Sequence, residues 1–221
     1  MICFLPWIRT TCIVTAILIF SSGLGVGQEQ DTTVSDTLAG EKAELMIGDI
    51  APSWALMIRP GEFEFLKNWT VEKGERLRKW KTQPYRHAVV LSFFATWCKP
   101  CMKELPHLQN LYEKYSGERI KFFLVDITEA TRSVPGNENV PFAVPFLKEK
   151  GISVPVLTDT RGVAMERYKA SALPRLFVID QYSTLRMLKK GFEENEDFES
   201  EVSAVIDILL KEISADEKKP E

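Results

Sequence analysis

Residues 88–96, AVVLSFFAT, form an unbroken apolar run rich in β-branched and aromatic side chains, and they lead almost directly into a segment of helical periodicity. A strand in which apolar residues do not alternate with charged ones has no face to give to water, so it is expected to be covered on both sides, as in the centre of a parallel sheet. In the following KPCMKELPHLQNLYEKY, Met102, Leu105, Leu108, Leu111 and Tyr112 recur at helical spacing, and Pro106 inside that pattern predicts a kink. IKFFLVDI, residues 120–127, is a second buried strand. Strand, helix and strand in this order make one right-handed parallel unit, and the rest of the chain must pack around it.

The flanking segments fit an α/β domain. FLKEKG and GVAMERYKA are expected as helices around an extended SVPVLTD. RLFVID, a QYST turn and LRMLKKGF are expected as a hairpin. A final amphipathic helix carries Phe198, Val202, Val205, Leu209 and Ile213 on one face. Before the central unit, LMIGDIAPSWALMI (45–58) is an extended segment punctuated by Gly48 and Pro52, and the charged WTVEKGERLRKW (69–80) is a possible helix. With 221 residues, 45% of them hydrophobic, the chain suits one globular domain plus a terminal extension. The net charge of -3 is spread along the sequence, so no basic stripe invites nucleic acid.

The amino terminus carries Arg9, an uncharged apolar stretch from Cys12 to Phe20, and small residues ending in Gly25, Val26 and Gly27. That order is the pattern of an export signal, and the apolar stretch is shorter than the roughly 20 residues of a spanning helix. Residues 1–27 are therefore expected to be a cleaved signal peptide or a retained membrane anchor. Residues 28–43, polar and poor in large apolar side chains, are a linker. The domain is expected over 44–214, with a tail at 215–221. Either fate of the amino terminus places the domain in the periplasm or on the outer face of the cytoplasmic membrane.

Cys3 and Cys12 lie in the export segment, which leaves Cys98 and Cys101 alone in the body. A disulfide across two intervening residues closes too short a loop to act as a strong staple. Structural zinc needs about four ligands, and the body adds only His87 and His107 to the pair. Haem attachment needs a histidine after the second cysteine, where Met102 stands. Copper held by the pair plus a histidine is the more serious metal alternative, although neither histidine stands where the sequence alone suggests convergence. A redox pair uses every local feature. Cys98 ends a strand and opens a helix, where free N–H groups and the helix dipole stabilise a thiolate. Lys99 adds a cation nearby, Pro100 suits the first helical turn, and Trp97 is a flat apolar lid or else a core aromatic. Cys101, one turn on, would be the resolving thiol.

WCKPC, with Pro106 five residues after Cys101, resembles the thioredoxin superfamily, and two further motifs extend the likeness. GDIAPSWAL is similar to the entry of the TlpA/ResA/CcmG (DsbE) branch of exported thiol-disulfide oxidoreductases. ALPRLFVID is similar to that branch's segment with a cis-proline, which maps to Pro174. The resemblance runs from about Leu45 to Ile213. It implies a thioredoxin-like α/β fold: a central mixed sheet flanked by helices, with a helical insertion between a central strand and the cis-Pro segment. It also implies that Leu173 and Pro174 lie beside the cysteines, with the Leu173 backbone pairing with a substrate strand. Proline makes a cis bond accessible, and a cis bond interrupts strand pairing.

Two departures from the family pattern matter. The buried acid that thioredoxin carries six positions before its first cysteine is replaced here by Ser92, so the proton acceptor for Cys101 must come from elsewhere. In the TlpA/ResA branch a glutamate follows the second parallel strand, so the resemblance makes Glu129, in VDITEA, the expected candidate, and a carboxylate near a thiol in a dry site can take its proton; its other reading is a solvated helix-capping acid. The segment TRSVPGNENVPF, 131–142, looks like an insertion of about ten residues at the site rim, suited to partner selection or simply a surface loop.

The expected function is thus disulfide exchange at Cys98 and Cys101, with Glu129 catalytic, Trp97, Leu173 and Pro174 contacting substrate, and Lys99 and Pro100 tuning the pair. The branch resemblance favours a reductase of protein disulfides, as in cytochrome c or oxidase maturation. It implies a membrane-embedded electron donor, a monomer and no cofactor. The alternative from another class is a redox-inactive thioredoxin-fold chaperone or copper-binding module. A peroxidase fits less well, because the first cysteine sits in a Cys-x-x-Cys pair without an evident Thr and Arg set. Asn68, Trp69 and Thr70 form a glycosylation sequon.

Overall fold

The computed structural model describes residues 44–217. The expected export segment 1–27, the linker 28–43 and residues 218–221 lie outside them. The apolar run becomes β3 (Ala88–Phe94), following β1 (Ala55–Arg59) and β2 (Glu62–Phe65), and every residue of β3 is buried. Helix α1 (Lys99–Lys114) leads from it to β4 (Ile120–Asp126), which lies parallel to β3 from Ala88 opposite Ile120 to Phe94 opposite Asp126. Then come α2 (Ala143–Glu149), β5 (Val156–Thr158), α3 (Val163–Arg167), β6 (Arg175–Ile179), β7 (Leu185–Lys190) and α4 (Phe198–Glu217). The seven strands form one mixed sheet in the order β2-β1-β5-β4-β3-β6-β7. β5 extends the parallel part beside β4, and β6 runs antiparallel on the other side of β3. This is the expected architecture, with the refinement that the insertion after β4 contributes a strand as well as helices.

Side chains of β3 alternate between the two faces of the sheet. Phe93 meets Tyr168 and Phe177 on one face, with ring centroids between 4.9 and 5.9 Å apart. Ser92 points to the other face and touches α1. Helix α4 lies against α1: its Phe198, Val202, Ile206, Leu209 and Ile213 are buried, while Val205 is half-buried. His107 of α1 stacks near Phe192 and Phe198 and bonds Glu199 at 2.8 Å, and Tyr115 donates to Asp207 at 2.8 Å. These contacts fix the rear of α1 and so the helix that carries the cysteines.

Two local expectations change, and two further features of the sequence find their setting. Residues 69–80 form turns rather than a helix, because Gly74 has φ +92, a conformation a right-handed helix cannot use, and the Arg78 N–H is taken by the Lys67 carbonyl. Helix α4 runs to Glu217, past the boundary expected at 214. Asn68 of the sequon is fully buried and donates to Glu64, so no glycan fits there without unfolding the turn. Helix α1 is continuous through Pro106.

Candidate active site

Cys98 caps α1. Its backbone is extended, its sulfur accepts the N–H of Cys101 at 3.2 Å, and Lys99 and Pro100 occupy the exposed first turn. The two cysteines are joined, with S–S 2.00 Å and Cα–Cα 5.3 Å. In this disulfide form Cys98 is only 3% exposed and Cys101 1%. A partner sulfur must therefore press between the surrounding side chains to reach Cys98.

The Leu173–Pro174 peptide bond is cis. β6 begins at the next residue, Arg175, which stands opposite Phe93, so Leu173 and Pro174 come level with the residues that carry β3 into Cys98. Pro174 is buried and Leu173 half-buried. Arg175, also buried, pairs with Glu44 at 2.9 Å. Lys190, the strand partner of Arg175, also reaches Glu44. Together they hold the Glu44 carboxyl well below the usual range, at about 2.

The carboxylate expected at Glu129 is in a different environment from the one anticipated. Glu129 is partly open to solvent and faces Arg132, whose Nε lies 3.1 Å from both carboxylate oxygens. That guanidinium holds the Glu129 carboxyl below the usual range. A group stabilised as an anion by a fixed cation is a poor acceptor of a thiol proton.

Another acid lies buried on the helix that carries the pair. Glu104, on α1 one turn beyond Cys101, is 2% exposed. Three residues along a helix advance about 4.5 Å and return to the same face. Glu104 therefore occupies the buried stripe of Cys101, Leu105, Leu108 and Leu111. Its carboxyl accepts a hydrogen bond from the Ser92 hydroxyl at 3.0 Å. Burial pushes its pKa up to about 8, against smaller opposing effects of Ser92 and the charge of Lys189. The serine at the position of thioredoxin's acid thus holds an acid that reaches the same region from the facing helix. The sequence carried a signal for it: a lone charged residue on the apolar stripe of α1, opposite a strand position that lacked its usual acid.

A second buried carboxyl, Asp126 at the end of β4, is also raised by burial; its oxygen takes the Thr128 N–H at 2.9 Å. Thr128 in turn accepts the Thr96 N–H at 3.1 Å, so the end of β4 fixes the backbone just before Trp97 and Cys98. Trp97 is half-buried, and its indole N–H donates to Thr131 at 2.9 Å. His87 lies against Gln83 and Tyr85 while His107 serves α4, so neither histidine joins the cysteines. Among the described residues, no cluster of three or more His, Cys, Asp or Glu side chains could hold a metal ion.

Comparison with known proteins places the chain among relatives. The AhpC/TSA family model matches residues 47–187, more than half of the chain. A thiol-disulfide oxidoreductase ResA of Bacillus cereus is 27% identical, over 84% of this chain and 90% of its own length. A ResA of Geobacillus kaustophilus is 24% identical, over 78% and 86%. Among solved structures, a putative thiol:disulfide interchange protein DsbE from Chlorobium tepidum superposes with a TM-score of 0.56 at 23% identity, covering 74% of this chain and 99% of that one. With a redox-capable cysteine pair at the head of α1 in a thioredoxin-like fold, the chain belongs to the AhpC/TSA family and is a thiol-disulfide oxidoreductase within it.

Proposed function

We propose that the protein is an exported reductase of protein disulfides, with Cys98 as the attacking thiol, Cys101 as the resolving thiol and Glu104 as the group that takes the resolving proton. The observation that carries this reading is the buried acid behind the pair. A strong oxidant stabilises its reduced form by holding the attacking sulfur as a thiolate. Here Lys99 is solvated, whereas a dry carboxyl stands one turn from Cys101, so a resting thiolate gains little and the dithiol gives up its electrons readily.

In the forward reaction the Cys98 thiolate attacks one sulfur of a partner's disulfide, forming a mixed disulfide and releasing the partner's other sulfur as a thiolate. Cys101 then passes its proton to the Glu104 carboxylate and attacks the Cys98 sulfur. The second partner thiolate leaves, and two electrons have moved from the pair to the partner. A Glu104 pKa near 8 fits the product state, in which the carboxyl retains that proton at neutral pH. Leu173 and Pro174 form the edge against which a partner backbone lies, and Trp97 covers the sulfur from the other side.

The apolar segment Cys12–Phe20 supports export to the periplasm or the outer face of the cytoplasmic membrane, where a membrane-embedded donor would recharge the pair. The names of the ResA and DsbE relatives support disulfide exchange, and the branch resemblance suggests cysteines of apocytochrome c or of an oxidase copper site as targets. A Cys101→Ser variant should accumulate mixed disulfides in the native envelope, and Cys98→Ser should not. Equal behaviour of the two variants would favour a binding module. A potential against glutathione as oxidising as about -120 mV would overturn the reductant assignment.

A further inference from the structure

The inserted segment after β4 is tied to the cysteine-bearing loop at both ends. At its start, Thr131 accepts the Trp97 indole N–H; at its end, the Pro141 carbonyl accepts the Thr96 hydroxyl at 2.9 Å. Arg132 holds the segment between those ties in shape. Its Nη1 donates to the carbonyls of Glu138 and Val140, both at 3.0 Å, while Nε and Nη2 grip Glu129. The guanidinium also lies 5.0 Å from the Phe142 ring centroid. Planar, multidentate donors of this kind fix a loop in a way that a lysine cannot. Arg132 neutralises Glu129, and beside the exposed Ser133, Glu138 and Asn139 the segment and the start of α2 present three apolar side chains to solvent: Phe142 is 66% exposed, Val144 60% and Val134 50%.

We propose that Phe142, Val144 and Val134 form a preorganised wall beside Cys98 that receives an apolar side chain next to the reacting cysteine of an extended protein substrate, and that Arg132 is the positioning residue of that wall. The occupant follows from continuity. The segment that carries the wall is bonded, through Thr131 and Pro141, to the residues at one and two positions before Cys98, so a polypeptide whose sulfur reaches Cys98 passes over it. The inference rests on the disulfide-reductase reading and names the sequence context that this site selects. It also explains why Glu129 is paired with Arg132: the carboxylate anchors the guanidinium that shapes the wall.

The test uses two glutathione-capped cysteine peptides that differ only in having Leu or Ser beside the cysteine. Stopped-flow rates with the reduced full-length protein are each divided by the same protein's rate with oxidised glutathione. The wild-type protein should prefer the Leu peptide by about tenfold, the worth of partly covering one apolar side chain. Phe142→Ser with Val144→Ser, both at exposed positions, should cut the ratio to about twofold. Arg132→Met should lower the ratio to a similar extent and shift the Trp97 indole N–H resonance, assigned with Trp97→Phe. If Arg132→Met fails to fold, the double variant carries the test. A wild-type ratio near one, or a ratio unchanged in the double variant, would overturn the wall while leaving the reductase reading intact. Failure of the wild-type protein to react with either peptide would sink the reductase reading and the wall with it. Self-association abolished by the double variant would reassign the patch to a second copy of this chain.

Discussion

Replacing Glu104 by Gln removes one ionisable group while keeping its size and an oxygen for the Ser92 hydroxyl. The wild-type carboxyl titrates near 8 in the folded protein and at 4.5 when free of it. Below both values it is protonated in either state and has no effect on stability. Between them the unfolded chain releases the proton while the folded protein keeps it, so stability falls as pH rises through that window and levels off above about 8. At 1.36 kcal/mol per pKa unit, the difference amounts to something on the order of 5 kcal/mol. Guanidinium unfolding of oxidised wild-type protein and Glu104→Gln should therefore give stabilities that agree in shape near pH 4, separate up to about pH 8 and run parallel above it, the variant becoming the more stable. Comparing the two proteins cancels the contribution of Asp126, which is also raised by burial and remains in both. The same variant should slow release of the mixed disulfide and lose the inflection near pH 8 in that step. Parallel stability curves from pH 4 to 9 would refute the buried-acid argument, and an unchanged release step would refute its role in proton transfer.

Glu129→Gln should lower the Leu-over-Ser peptide preference, as Arg132→Met does, yet retain the inflection near pH 8; loss of that inflection would return the proton role to Glu129. Phe177→Ala, which empties the centre of the aromatic cluster with Phe93 and Tyr168, should cost about 3–5 kcal/mol in denaturant unfolding. Arg186→Met should loosen α4 from the hairpin by breaking the bonds to Glu212 at 2.7 and 2.9 Å and to Asp180 at 3.3 Å. The half-exposed setting limits that loss to about 1–2 kcal/mol, and calorimetry would register it as a lower Tm.

Local pattern determined much of this protein. An apolar run without alternation can only be a buried strand, helical spacing after Cys98 can only cover it, and the position of Cys98 at their junction follows from chain order. The same holds for the hairpin of β6 and β7 and for most of the buried face of α4. The helix expected over 69–80 failed because composition does not report backbone conformation, and the left-handed conformation at Gly74 is seen only once the chain is folded.

What only the tertiary structure decided concerns charge and neighbours. Glu104 and Glu129 are both single acids that follow Cys101 in the chain, and their ionisation separates because it depends on surroundings that the sequence does not state. Ser92 meets Glu104 across 12 residues, Trp97 meets Thr131 across 34, and Thr96 meets Pro141 across 45. Folding placed one carboxyl in a dry space between sheet and helix, where water cannot stabilise its charge, and the other against a guanidinium at a partly solvated rim, where the charge is held. The cysteine pair was legible because its chemistry is written in adjacent residues; the group proposed to take its proton, and the wall proposed to select its partner, were not, because each exists only where distant parts of the chain meet.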